Sequence, residues 1–256
     1  AILHMGACSS TTETNESFLN KNNFEYTRHL ANFCLDKAIR FIYASSAATY
    51  GAGENGYSDD ESRLKLLKPL NLYGDSKQKF DLWAQAQGVL GNLVGLKYFN
   101  VYGPNEYHKQ EMQSMVRKGF LQVRDEGKLR LFKSYKPEYL DGDQERDFLY
   151  IKDAVAMTLH FLEHKNIGGI FNVGSGKARN WNDIAKAIFA AMNKQLNIEY
   201  IEMPSEIINQ YQYHTCSDTE KIHNAGYLQP VTLLENGIED YVKEYLIPGK
   251  HLGGSK

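Results

Sequence analysis

Short apolar runs alternate with amphipathic stretches along the first hundred residues. "AILHM" (1–5) reads as a strand, and residues 17–39 follow as a helix with Thr27, Leu30, Ala31, Cys34 and Ala38 on one face. "RFIYASS" (40–46) is a second strand, apolar almost throughout as buried parallel strands are. A glycine loop leads to a helix over 71–89, and "LVGLKYF" (93–99) is the next strand. This β-α-β-α-β rhythm predicts an α/β fold with a doubly wound parallel sheet.

Beyond residue 103 the rhythm loosens. "YGPNEYHKQEMQSMVRKGFLQVRDEG" (102–127) runs from a proline turn into a helix, and "KLRLF" (128–132) is a strand. "KSYKPEYLDGDQERD" (133–147) reads as a long polar loop, a length that usually carries function. A helix over 152–164, the strand "GIFNVG" (169–174), a helix over 181–193, the strand "IEYIEM" (198–203) and a helix over 231–245 complete the pattern. Residues 1–103 are read as a nucleotide-binding part. Residues 104–256 are read as a smaller, mainly substrate-binding α/β part, interleaved with elements that return to the sheet. No methionine opens the chain and residues 1–5 already read as buried strand, so a preceding segment is expected to be missing from this sequence.

"GAGENG" (51–56) matches G-x-G-x-x-G, the spacing that cradles a dinucleotide pyrophosphate, and it follows a strand. The acidic "YSDDESRLKLLKP" (57–69) after it would repel a pyrophosphate and has no helical period, so the stretch is read as a glycine loop. The 256 residues carry a net charge of −2, which gives no broad basic footprint for nucleic acid. No apolar run approaches a membrane span, and "AILHMGACSS" lacks a signal-peptide layout. Cys8, Cys34 and Cys216 are odd in number and unlike any zinc or disulfide spacing, which fits a reducing cytoplasm and no metal.

The sharpest local chemistry is "YGDSK". Tyr73 and Lys77 stand four apart on a predicted helix and share a face. An ammonium beside a phenol is expected to pull the tyrosine pKa down from about 10 toward working pH, making Tyr73 a general acid or base. An ordinary exposed Tyr–Lys pair has the same spacing. Just upstream, "YASSAATYG" (43–51) ends a strand and offers Ser46, whose hydroxyl can hold a substrate oxygen beside the tyrosine.

A strand-end serine, then Tyr-x-x-x-Lys, then a strand ending in "YFNVYGP" (98–104) is a layout that resembles the extended short-chain dehydrogenase/reductases. "RDFLYIKDAV" (146–155) and "FNVGSGK" (171–177) are similar to further motifs of that family in the same order, while "GSGK" lacks Walker spacing. Within the family, "HMGACSSTTE", "KPLNLYGDSKQKFD", "YFNVYGPNEYHKQEMQS" and "ERDFLYIKD" most resemble the nucleotide-sugar epimerases that act on ADP-linked heptoses. The resemblance covers essentially the whole chain. It departs in a longer loop over 51–67 and in Glu111, which falls near a small-residue position.

The resemblance implies a Rossmann-like sheet whose first three strands and glycine fingerprint would precede "AILHMGA", with "GAGENG" a variable loop. It implies inversion at C6 of an ADP-heptose by transient oxidation with bound NADP, in the supply of lipopolysaccharide inner-core precursor. By position it assigns Tyr73, Lys77, Ser46 and Lys109 to catalysis, with Lys109 the second proton-transfer group. Met5, Gly6, Ala7, Cys8, Ser9, Asn22, Lys77, Val101 and Lys109 would line the cofactor. Asn100, Glu111, Lys118, Phe132, Lys133, Ser134, Tyr135, Arg146 and Tyr211 would hold the ADP-sugar. Arg146 is the best diphosphate partner on physical grounds, because a guanidinium gives paired, charge-assisted hydrogen bonds. His108 is read as structural. The family also implies a cytoplasmic homo-oligomer without nucleic-acid or membrane partners.

A UDP-hexose 4-epimerase would show the same Ser-Tyr-Lys set. A nucleotide-sugar 4,6-dehydratase would need an acid–base pair where this chain has Ala47 and Ala48. A non-catalytic dinucleotide sensor would have no need of intact Ser46, Tyr73 and Lys77.

Overall fold

The computed structural model describes residues 1–208 and 211–254. In chain order it opens with strand β1 (Ile2–His4) and a helical run made of α1 (Glu16–Leu19), a π-helical turn over Asn20–Glu25 and α2 (Tyr26–Asp36). Strand β2 (Phe41–Ser46), α3 (Leu72–Ala86), β3 (Leu93–Tyr98), β4 (Asn100–Tyr102), α4 (Met115–Glu126) and β5 (Leu129–Phe132) follow. Next come β6 (Glu145–Tyr150), α5 (Ile151–Glu163), β7 (Gly169–Val173), β8 (Ala178–Asn180), α6 (Trp181–Ala191) and β9 (Ile198–Ile201). The short helices α7 (Ser205–Ile208) and α8 (Glu220–Asn224) precede α9 (Leu234–Asp240), which runs on into a π-helical stretch over Tyr241–Leu246.

Two units divide the chain. Ala1–Phe99, Ala154–Gly176 and Ser217–Gln229 make the first; Asn100–Asp153, Lys177–Cys216 and the described residues from Pro230 onward make the second. The first carries a four-stranded, all-parallel sheet in the order β1-β2-β3-β7. Strands β2, β3 and β7 are buried along nearly their whole length, which is why they read as unbroken apolar runs. Helix α3 begins where the Asn71 side chain accepts the Gly74 amide at 2.8 Å, satisfying one of the first-turn donors. Its Phe80 and Ala84 pack with Ala31 and Cys34 of α2 around Phe41, Tyr43, Leu93 and Ile170.

Among the described residues β1 pairs with β2 alone. At the other edge, two amides of β7 donate to carboxylates: Ile170 N–H to Glu61 Oε1 at 2.8 Å and Asn172 N–H to Asp59 Oδ2 at 2.7 Å. The loop that supplies them begins at "GAGENG", where the glycines serve packing. A Cβ on Gly51 (φ 61°) would meet the Lys68 carbonyl oxygen at 1.7 Å, and one on Gly53 (φ 81°) the Tyr57 ring at 2.3 Å.

The second unit holds a three-stranded sheet in the order β4-β6-β8 and a parallel pair, β5-β9. Val116, Phe120 and Val123 of α4 pack with Ile184 and Ile188 of α6 and Ile238 and Val242 of the last helix. Among the described residues no helix is long and apolar enough to cross a membrane.

Two sequence expectations need correction. The helix expected over 17–39 ends at Asp36; Thr27, Ala31 and Cys34 are buried, but Ala38 lies past the end, exposed and at φ 52°. The polar stretch 133–147 is not a loop to its end, because β6 starts at Glu145 and is the central strand of its sheet. Its polar first residues pair antiparallel with β8 (Glu145↔Asn180, Arg146↔Arg179, Asp147↔Ala178), so their backbones are satisfied without an apolar pattern.

Candidate active site

Three α3 residues spaced four apart face the end of β2: Tyr73, Lys77 and Asp81. Lys77 Nζ donates to the Ala44 carbonyl at 2.8 Å. Asp81 accepts from Tyr43 Oη at 2.9 Å and from Ser45 Oγ at 2.7 Å. Tyr73 is hydrogen-bonded to Ser46, whose Oγ also accepts the Ala48 amide at 3.1 Å. One stripe of the helix is thus laced to consecutive residues 43–46 of the strand.

The electrostatics differ from the expectation drawn from the Tyr–Lys spacing. The Lys77 ammonium lies 5.9 Å from the centroid of the Tyr73 ring, but its proton goes to Ala44. Burial raises the Tyr73 pKa above the ordinary phenol value, and the Ser46 hydrogen bond opposes this without reversing it. The expected depression is therefore corrected: in this structure Tyr73 is held as the neutral phenol. Burial also brings Lys77 down to about 8, with the Asp81 charge acting in the opposite direction. Next to Asp81, Lys97 of β3 completes an ion pair at 2.7 Å in which both side chains are fully buried, and it donates to Thr49 Oγ1 at 2.6 Å. Removing one partner of such a pair costs about 3–5 kcal/mol, since it strands a buried charge.

Residues 5–9 form the loop after β1, and a neighbouring asparagine fixes it. Asn23 Oδ1 accepts the Cys8 amide at 2.9 Å, and its Nδ2 donates to the Cys8 carbonyl at 3.0 Å and to Ser76 Oγ at 2.9 Å. Asn22 instead donates to the Phe18 carbonyl at 2.8 Å within its own helix. The clamp on the loop is Asn23, which sequence reasoning passed over in favour of the adjacent Asn22. Met5 Sδ accepts from Tyr98 Oη at 3.5 Å, and a Cβ on Gly6 would meet no atom within 4 Å.

In the second unit, Lys109 is exposed on a 3-10 segment over Tyr107–Met112, with no side-chain partner among the described residues; His108 is exposed beside it. Asn105 (φ 73°) precedes the segment and Gln110 (φ 46°) interrupts it, both at positive φ without being glycine. The buried Glu106 carboxylate anchors it, accepting from Ser114 Oγ at 2.6 Å and Tyr241 Oη at 3.0 Å.

A separate cavity of about 370 Å³ in this unit is lined by Lys118, Phe132 and Tyr211, together with Met115, Arg130 and Trp181. Trp181 Nε1 donates to Tyr211 Oη at 2.9 Å, and the Arg146 guanidinium lies 5.1 Å from the Tyr211 ring and 5.8 Å from Trp181. The cavity therefore gathers aromatic walls and cations, which suits a base and its phosphates. Lys133 and Tyr135 do not line it and are both bound to Glu202, Lys133 at 2.6 Å. The Ser134 amide donates to Asp141 Oδ1 at 2.8 Å. Glu111 is exposed and pairs with Lys118 at 3.6 Å, while Asn100 is exposed and Val101 half-buried on β4. Trp181 and Arg130 were not singled out from sequence, since an aromatic opening a helix and an arginine inside a strand have no periodic signature.

Residues 1–174 match the model of the NAD dependent epimerase/dehydratase family. The ADP-L-glycero-D-manno-heptose-6-epimerase of Nitratidesulfovibrio vulgaris is 50% identical over 246 residues, covering 96% of this chain and 76% of that protein. The chain belongs to the NAD-dependent epimerase/dehydratase family. A Fusobacterium nucleatum member of the same name is 48% identical over 255 residues, covering 96% of this chain and 77% of its own. The crystal structure of the Helicobacter pylori ADP-L-glycero-D-manno-heptose-6-epimerase is 30% identical with a TM-score of 0.79, covering 94% of this chain and 71% of that one. A UDP-glucuronic acid 4-epimerase from Bacillus cereus, crystallised with NAD, shares the fold at 23% identity and a TM-score of 0.74, covering 94% of this chain and 74% of its own.

A nicotinamide cofactor goes with membership of this epimerase/dehydratase family. The residues present fit one. Asn23 holds both the amide and the carbonyl of Cys8 in the loop after β1, and Lys77 commits one of its three ammonium protons to Ala44, leaving two for a ligand.

Proposed function

We propose that this protein inverts C6 of the heptose in ADP-D-glycero-D-manno-heptose, giving the L-glycero epimer, with NADP as its resident cofactor. The product would feed lipopolysaccharide inner-core synthesis. The observation that carries the reading is the Ser46–Tyr73–Lys77 cluster at the end of β2, in a chain half identical to a bacterial enzyme of that name.

The C6 hydrogen of a heptose is not acidic, so inversion there runs through a transient carbonyl rather than through simple deprotonation. The nicotinamide, when bound, supplies hydride acceptance and return at that carbon. Lys77, with residues 5–9 fixed by Asn23, would hold the cofactor. Ser46 would hydrogen-bond the reacting oxygen. Lys109 would act as the base that takes the C6 hydroxyl proton as the carbonyl forms, and Tyr73, kept neutral by burial, would give a proton to the oxygen in its second position as the carbonyl is reduced; exchange with solvent resets both groups. Arg146 and Lys118 take the diphosphate, with Phe132, Trp181 and Tyr211 around the adenosine.

The test is to incubate the protein with NADP and ADP-D-glycero-D-manno-heptose and to resolve the epimers. The expected result is conversion to the L-glycero form, faster with NADP than with NAD, and no reaction of UDP-glucose. Conversion of UDP-glucose to UDP-galactose, with the ADP-heptose left untouched, would replace this reading by a UDP-hexose 4-epimerase.

A further inference from the structure

We propose that Asp81 is a positioning residue of this site, fixing Lys77 against β2 and keeping its ammonium charged at working pH. The inference rests on the reading of Lys77 as an active-site group.

The geometry supports it in two ways. Asp81 stands one helical turn beyond Lys77, so whatever fixes Asp81 fixes the rotation of α3 that aims Lys77. Three donors from the sheet hold it: Tyr43 Oη at 2.9 Å and Ser45 Oγ at 2.7 Å from β2, and Lys97 Nζ at 2.7 Å from β3. The second point is charge. Lys77 is buried, and its acceptor among the described residues is a neutral carbonyl. An ammonium taken from water with only a neutral acceptor sheds its proton readily. The titratable and charged groups around Lys77 are His4 of β1, Cys8 of the 5–9 loop, Tyr73 and Asp81 of α3, and Tyr43 and Lys97 bound to Asp81. Asp81 is the one carboxylate in that set. Burial and the Lys77 charge both favour neutral His4, whose charged form would be a second cation, and burial favours neutral Tyr73 and Tyr43, so none of the three rings supplies a counter-charge; Cys8 acts in the same direction as Asp81 but more weakly. Lys97 offsets part of the Asp81 charge but is also committed to Thr49.

Competitive labelling with acetic anhydride, read by mass spectrometry across a pH series on protein without added nucleotide, gives the titration midpoint of the Lys77 amine. In the Asp81→Asn/Lys97→Met double variant, both ends of the buried pair become neutral together and no charge is stranded, which favours retention of the fold. Because the variant also removes the Lys97 charge that offsets part of Asp81, the Lys77 midpoint should fall by at most about one pH unit, the usual reach of a nearby charge. The alkaline limb of the epimerisation profile should move down with it. A midpoint that stays put in the folded double variant would overturn the proposal. So would a wild-type midpoint below about 6.5, where an unperturbed amine would be near 10.4, because Lys77 would then be neutral at working pH whatever Asp81 does. Full turnover in Lys77→Met would remove Lys77 from the active site, and the positioning role with it, independently of the labelling result.

Discussion

Tyr73 shows how a local spacing can bring residues to one face and still miss their charge state. It stands four positions before Lys77, and that spacing brings both to one face of α3, where Ser46 of β2 meets Tyr73. The ammonium, however, is turned to Ala44, and burial governs the phenol. Replacing Tyr73 by Phe and, separately, Lys109 by Met should each lower epimerisation by at least about a hundredfold, the scale of general acid–base catalysis. Steady-state assays with the ADP-heptose decide it, and wild-type turnover in Lys109→Met would sink the scheme of two proton-transfer groups. Ser46, Tyr73 and Lys77 were legible in the sequence because their signals are local: a strand end and a helical turn. Asp81 and Asn23 were not. Their partners lie 16, 36 and 38 residues away for Asp81 and 15 and 53 for Asn23, and only the folded chain brings them together.

At the level of elements, the apolar runs foretold β2, β3 and β7 because strands covered on both faces have no polar positions to break the pattern. β6 escaped because Glu145, Arg146 and Asp147 open it, and their suitability for a central strand depends on β8 and on Thr215, whose Oγ1 takes the Asp147 amide at 3.2 Å. The acidic loop after "GAGENG" reads differently once β7 is in view: Asp59 and Glu61 close the amides of an edge strand that would otherwise invite pairing. Burial pushes the Asp59 carboxyl up to about 6, against the pull of the Asn172 amide and Lys221. The folded protein thus holds this proton more tightly than the unfolded chain. The resulting stability is fully present below about 4 and is lost as the pH rises through about 6. Asp59→Asn should flatten that part of the profile and leave the variant more stable than wild type at pH 7 by about 1–3 kcal/mol. Urea unfolding across pH 4–7 measures it, and an unchanged slope would show that Asp59 titrates as an ordinary surface carboxylate.

For the whole molecule, the alternation of strand and helix was enough to foresee an α/β fold with a parallel sheet, because crossover connections impose that rhythm on any such chain. It could not show where the chain passes from one unit to the other, since one crossing, from Asp153 to Ala154, falls inside α5 and leaves no break in the pattern. The first unit is drawn from three separate stretches of chain, the last ending at Gln229. In the order of synthesis this sets a long wait. The residues up to Phe99 emerge with one side of β3 bare, and the strand that covers it arrives only at 169–173. Asp59 and Glu61 are made 113 and 109 residues ahead of the amides they cap, so the stopper for the far edge exists before the edge does. A released fragment ending at Gly168 should therefore be cut rapidly by a nonspecific protease under conditions that leave the full chain intact, and equal resistance would mean that β7 is dispensable. Between the synthesis of β3 and that of β7 the nascent protein carries an open sheet, and it is in that interval that a cell would need to shield it from its neighbours.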